Sequence, residues 1–188
     1  MPSGDNAFYV DRPATGNCYG EFIGRELVEM TRRVFPLSEK REDTFIGGLS
    51  MGGYGAIKVA LTRPDLFGYC ASFSGALDVA HMWDPRLWRE GRYIFGCDLE
   101  GFSDLEGTQH DLFALCTRAK EAGTPFPALY LWCGERDSLL GDNRKFHAHL
   151  DALGVEHTYA ESEGNHAWTY WDEQIQRTLR LFLGKDKA

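Results

Sequence analysis

The chain has 188 residues, 43% of them hydrophobic and 13% aromatic, which suits one domain with a substantial core. A formal net charge of −8 with no basic stripe argues against a nucleic-acid partner. No apolar run approaches the ~20 residues that a membrane-spanning helix needs, so no membrane partner is expected.

Taken in order, Phe22, Ile23, Leu27, Met30 and Val34 recur at helical spacing, which predicts an amphipathic helix from about Tyr19 that Pro36 ends. Asp43-Thr44-Phe45-Ile46-Gly47 reads as a short buried strand, and Tyr54 to Leu61 as a helix ending near Arg63-Pro64. Phe67 to Ser74 is the next strand, and Gly75-Ala76-Leu77-Asp78 follows at the end where ligands bind in open parallel sheets. Residues 79–108 are irregular and carry His81, Trp83, Trp88, Arg89, Arg92, Tyr93 and Phe95; they read equally as a cap insertion over a site and as a packed surface excursion. A helix follows over Asp111 to Ala122, and then a strongly apolar strand, Ala128 to Cys133. A helix around Arg144 to Leu153 is closed by Gly154, and Val155 to Ala160 alternates as a strand. The last helix runs from about Trp168 to Leu183. No repeat or low-complexity tract interrupts the chain.

Between the first strand and its helix stands Gly48-Leu49-Ser50-Met51-Gly52, a Gly-x-Ser-x-Gly run in the strand–turn–helix context of a nucleophile elbow. Such a turn strains the serine backbone and brings the helix back close over the strand. Gly48 and Gly52 are expected to supply that room, and Gly53, Gly55, Ala56 and Ala60 to let the helix pack tightly on the sheet. Ser50 then sits at a helix N-terminus, where N–H groups favour developing negative charge.

An activated serine needs a base, and the base an orienting acid. The chain order Ser, acid, His is met: Gly134-Glu135-Arg136-Asp137-Ser138 follows one strand, and Ser162-Glu163-Gly164-Asn165-His166 follows the next. Position favours Asp137 over Glu135 and Asp142, which stay open as alternatives. His166 is the candidate base. His147 and His149, two apart on a helix, are expected to be solvated; His81 and His110 to be structural or exposed; His157 lies within a strand and is a poor base. Met51 N–H is one expected oxyanion donor, and Leu49 and Trp168 join it as candidates for substrate contact.

The five cysteines, Cys18, Cys70, Cys97, Cys116 and Cys133, lack paired spacing and read as reduced structural thiols in a reducing, cytoplasmic setting. Neither Cys-x-x-Cys nor His-Glu-x-x-His appears, so neither a metal nor another cofactor is expected.

The chain resembles the esterase D and tributyrin esterase branch of the α/β-hydrolases. The resemblance rests on the run from Thr44 to Ala56, on Ser72-Phe73-Ser74-Gly75-Ala76-Leu77-Asp78, and on Gly164-Asn165-His166-Ala167-Trp168 with Trp171-Asp172; it covers nearly all of the chain. It implies an α/β fold: the C-terminal part of an α/β-hydrolase domain spanning 1–188, a mostly parallel sheet flanked by helices, with the N-terminal strands missing. It maps the family's nucleophile to Ser50, its base to His166 and its acid to Asp137. It implies a serine carboxylesterase acting on small-molecule acyl esters or thioesters, with an acyltransferase or a weakly active hydrolase-like fragment as alternatives.

In the family's strand order the elbow strand has a neighbour on each side, and one of them is not in this sequence. The expectation is therefore a bare edge along Thr44 to Gly48, where no charge or proline blocks pairing. It leads either to self-association through that edge or to a longer reading frame that supplies the second oxyanion donor.

Overall fold

The computed structural model describes residues 7–12, 16–82, 91–96 and 98–184. Its centre is a four-stranded parallel sheet in the order β3-β4-β5-β6: Phe45–Leu49, Tyr69–Phe73, Ala128–Gly134 and His157–Ser162. Two short strands, β1 (Asp11–Arg12) and β2 (Asn17–Cys18), form a separate antiparallel pair ahead of it. Among the described residues five helices of eight residues or more accompany the sheet: α1 (Leu27–Val34), α2 (Met51–Thr62), α3 (Leu112–Glu121), α4 (Leu140–Ala152) and α5 (Trp168–Phe182).

The two faces of the sheet separate by alternation along the strands. Cys70, Leu129 and Leu131 join α2, α3 and α4 in the larger core, which also takes in Tyr54, Ile57, Cys116, Phe146 and Leu150. Ala71, Phe73, Tyr130 and Trp132 face the other way, onto Trp171, Ile175 and Phe182 of α5. Covered on both faces, β5 is apolar almost throughout, as a parallel strand must be.

Helical structure runs without a break from Tyr19 to Val34, with a π-helical turn over Phe22–Glu26. Phe35 is extended, as the residue before a proline should be. The predicted apolar spacing of this helix is only partly used: Ile23 is buried, but Met30 and Val34 are exposed.

β3 is an edge strand. Its ladder runs to β4, and among the described residues no strand pairs its other side. The expected strand over Asp43–Gly47 lies two residues further on and includes Gly48 and Leu49. Of the irregular stretch, Phe95 and Phe102 turn inward and join the main core with Leu105 rather than a small core of their own, whereas Tyr93 is exposed. Trp83, Trp88 and Arg89 of the expected cap lie outside the described residues.

Candidate active site

The site is built at the carboxyl end of the sheet, beginning with the turn from β3 into α2. Ser50 has φ 53° and ψ −122°, a conformation that L-residues rarely adopt and that costs on the order of 1–3 kcal/mol. The surroundings hold it there. Ser50 N–H donates to Phe73 carbonyl at 2.9 Å, and its own carbonyl accepts from Gly53, Tyr54 and Ala76 N–H groups at 2.9, 3.3 and 3.0 Å. A Cβ on Gly48 would stand 2.1 Å from the Gly52 carbonyl oxygen, and one on Gly53 would stand 2.4 Å from Ser72 Oγ. Gly52 differs from the expectation: a Cβ there would meet only Tyr9 Oη, at an ordinary 3.7 Å. It is the Gly52 backbone that comes close, and Gly48 that must be bare to receive it.

Two loops beyond β5 and β6 supply the partners, and they are laced together. Glu135 N–H donates to Ser162 carbonyl and Arg136 N–H to Gly164 carbonyl, both at 2.9 Å. A Cβ on Gly134 would fall 2.5 Å from the Gly164 carbonyl carbon, so close approach of the loops requires glycine there. Asp137 and His166 are thereby brought face to face: His166 Nδ1 is 3.0 and 3.1 Å from the two Asp137 oxygens. On the far side of the ring, His166 Nε2 is 2.9 Å from Ser50 Oγ. Glu135 is exposed and Asp142 is 3.3 Å from Lys145, so neither alternative acid occupies the place of Asp137.

The Asp137 side chain is fully buried. Burial pushes its carboxyl upward, but His166, the Leu139 N–H and the Ser74 hydroxyl together outweigh that, and it is held below the usual carboxylate range. An ionised acceptor on Nδ1 fixes the tautomer in which the Nε2 lone pair faces Ser50.

Ser74 and Trp171 were not among the site residues expected from sequence. Trp171 Nε1–H donates to Ser74 Oγ at 3.1 Å, and the indole stands edge-on to His166 with ring centroids 4.8 Å apart. Ser74 has φ 47°, which aims its hydroxyl inward from the end of β4. Both residues lie in segments that carried the resemblance, but only their three-dimensional neighbours reveal that they support Asp137 and His166.

A groove of about 680 Å³ opens from Ser50 along β3. Leu49, Met51 and Trp168, the three candidates for substrate contact, line it together with Ser50. Its floor is apolar, from Phe45, Ile46, Ala71 and Phe73, and α5 forms its wall through Ile175, Leu179 and Phe182. Trp168 is 69% exposed at its mouth.

Of the remaining histidines His81 is exposed beside Asp78, as expected, but His147 and His149 are not solvated bystanders. His110 is buried against Lys58, with Nζ 2.9 Å from Nδ1. His149 Nε2 reaches Phe113 carbonyl and Thr117 Oγ1 at 3.0 and 3.2 Å. His147 meets His157 and Asp151 in the one group of ligating side chains, among the described residues, that could hold a metal ion. That group lies at the amino end of β6, away from Ser50. The cysteines fit the structural reading: Cys70, Cys116 and Cys133 are buried, and burial pushes the Cys116 and Cys133 thiols up to about 12. Cys97 lies outside the described residues.

A family model described as "Putative esterase" matches residues 1–182. The chain belongs to this esterase family. It is 38% identical over 179 residues to an acetyl esterase of Caldicellulosiruptor saccharolyticus, covering 93% of this chain and 67% of that protein. Among solved structures it superposes on FphF, a fluorophosphonate-binding serine hydrolase of Staphylococcus aureus, with TM-score 0.79 and 33% identity over 89% of this chain and 64% of that one. The S-formylglutathione hydrolase FrmB of the same organism gives TM-score 0.78 and 31% identity, covering 94% and 67%. The chain thus spans about two thirds of the length of the relatives it matches, and the fold is that of the α/β-hydrolase superfamily.

Proposed function

We propose that this chain carries the catalytic residues of a serine carboxylesterase acting on small acyl esters or thioesters. The observation that carries the reading is the continuous line Asp137–His166–Ser50, with Nε2 2.9 Å from the hydroxyl of a strained serine at a helix N-terminus.

His166 Nε2 takes the Ser50 proton as Oγ attacks the acyl carbonyl. The tetrahedral oxyanion is received by the Met51 N–H, in the first turn of α2. His166 then protonates the leaving alcohol or thiol, and the acyl group stays on Oγ. Water, deprotonated by the same nitrogen, displaces Ser50 and frees the acid. Asp137 holds the ring in place and stabilises the imidazolium formed twice in the cycle. Small acyl groups are favoured because the relatives include an acetyl esterase and an S-formylglutathione hydrolase.

Labelling by a fluorophosphonate, with the adduct mapped to Ser50 by peptide mass, tests the nucleophile. Turnover across p-nitrophenyl acetate, p-nitrophenyl butyrate, a feruloyl ester and S-formylglutathione tests the acyl range. A protein that neither takes the label nor turns over any of the four would sink the proposal.

A further inference from the structure

Three ligating side chains meet where α4 hands over to β6. His147 and Asp151 are four residues apart, so they share one face of α4. Gly154, at φ 61°, reverses the chain, and His157 arrives as the first residue of β6. His157 Nδ1 lies 2.8 Å from the Val155 carbonyl oxygen. A carbonyl can only accept, so Nδ1 carries the proton and Nε2 presents a lone pair. That lone pair faces His147, whose Nδ1 is 2.7 Å away. The Asp151 carboxylate stands 3.5 Å from His147 Nε2 and 4.0 Å from His157 Nε2. One ligand atom from each of the three residues falls within 4.8 Å of the others.

The rings are held before any ion arrives. His157 is 3% exposed at its side chain. His147 stacks on Tyr159, with centroids 4.3 Å apart and planes 14° from parallel. A ligating imidazole whose other nitrogen donates to a backbone carbonyl is the usual outer-shell arrangement of a metal site. Two imidazoles and one carboxylate, without a thiolate, form a nitrogen and oxygen set suited to Zn²⁺ and its neighbours rather than to Mg²⁺ or Ca²⁺. With zinc–nitrogen bonds of about 2.0–2.1 Å, tetrahedral donors stand about 3.3 Å apart. The proton now needed between the two facing imidazoles would be displaced, and the rings would part by about half an ångström.

We propose that His147, Asp151 and His157 form a binding site for a divalent transition-metal ion of the zinc type, which staples the end of α4 to the start of β6. The site is separate from the serine chemistry. β6 runs six residues from His157 to Ser162, so a strand length of about 16 Å lies between the staple and the loop that carries His166. No sequence motif announced it, because the ligands come from two elements on either side of a glycine turn.

The test is titration of the metal-free full chain with ZnCl₂, followed by calorimetry and by thermal unfolding. One equivalent should bind, and the melting temperature should rise by roughly 5–10 °C at a hundredfold excess over Kd. Asp151→Asn, His147→Gln and His157→Gln should each weaken binding at least about tenfold. Asp151→Asn and His147→Gln change partly exposed side chains, so they keep the test valid if His157→Gln misfolds. Zinc held by cysteines would survive these substitutions. Ester turnover without zinc should match the unsubstituted chain, which keeps this proposal distinct from that for Ser50. Absence of binding at millimolar Zn²⁺, or an unchanged Kd in all three variants, would overturn it.

Discussion

The two ends of the elbow helix α2 each meet a histidine, and the two histidines are put to opposite use. At the N-terminal end Ser50 meets His166, whose side chain is 35% exposed and backed by the buried carboxylate of Asp137. Two turns further on, Lys58 meets His110, which is 8% exposed and has no carboxylate partner among the described residues. Burial first, and the Lys58 charge second, push the His110 imidazole down to about 3. Lys58 itself is pushed down to about 8 by burial. The difference lies in the partners. An anion on one nitrogen leaves the other facing Ser50 and the groove, where the proposed chemistry needs a base, whereas burial beside a cation keeps the imidazole neutral and closed.

The strongest way to break this comparison is to remove the groups at the Ser50 end. Ser50→Ala and His166→Ala should each lower kcat/KM by roughly 10⁴-fold or more, with the double variant little worse than either, because the residues act as a unit. Asp137→Asn should leave more residual activity. Lys58→Met and His110→Gln should leave the rate within a few-fold. If Ser50→Ala kept normal turnover, or His110→Gln lost it, the two ends of the helix would have been assigned the wrong way round.

A second break concerns shape. The N-terminal end depends on a strained turn, so Gly48→Ala should destabilise the chain by about 3 kcal/mol or more, through the overlap with the Gly52 carbonyl. Gly52→Ala, within a helix and with space for its methyl, should be neutral or stabilising by up to about 1 kcal/mol. Urea denaturation of the two variants side by side measures the contrast. Equal losses would mean that the turn is built differently.

These contrasts mark how far the sequence could be read. The strand–turn–helix at Ser50 was legible because only small residues fit a close return of a helix over a strand. β5 and the loops after it were legible because a strand buried on both faces is a plain apolar run. The end of β3 was not, since Gly48 and Leu49 carry little strand signal and pair only through their backbone register with Ser72 and Phe73. The His147 pairing was hidden because its partner comes from another element, so helical spacing within α4 was the wrong measure. Met30 and Val34 kept helical periodicity and still stand exposed, since periodicity marks an apolar face but not what lies against it.

The Lys58 end can be sharpened by pH. Between the ordinary histidine value of 6.5 and about 3, the unfolded chain holds a proton on His110 that the folded chain refuses. Stability should therefore fall as pH drops through that window, by a few kcal/mol at about 1.4 kcal/mol per pKa unit. Above 6.5 this group contributes no slope. His110→Gln should flatten the acid limb of stability against pH, measured by urea midpoints from neutral pH downward. An unchanged acid limb would show that His110 is not what the folded state keeps neutral. On the alkaline side Lys58 acts with the same sign: between about 8 and 10.5 the unfolded chain binds the extra proton, and stability should rise with pH.

The smallest effect tests how the Ser50 end is held. Trp171 reaches both His166 and the support of Asp137: its ring stands against His166 and its N–H donates to Ser74, whose hydroxyl supports Asp137. Trp171→Phe keeps an aromatic ring against His166 but removes the donor. One neutral hydrogen bond contributes about 1 kcal/mol, so kcat should fall by about fivefold with KM little changed. Ser74→Ala removes a bond to a charged carboxylate, at about 1.5–3 kcal/mol, and should cost more. It should also move the acid limb of the pH–rate profile, because Asp137 loses one of the donors that hold it ionised. The double variant should be less than additive, since both changes cut the same chain of hydrogen bonds. Fully additive losses would mean that Trp171 acts on His166 by ring contact alone, and that the Ser74 hydroxyl serves Asp137 without it.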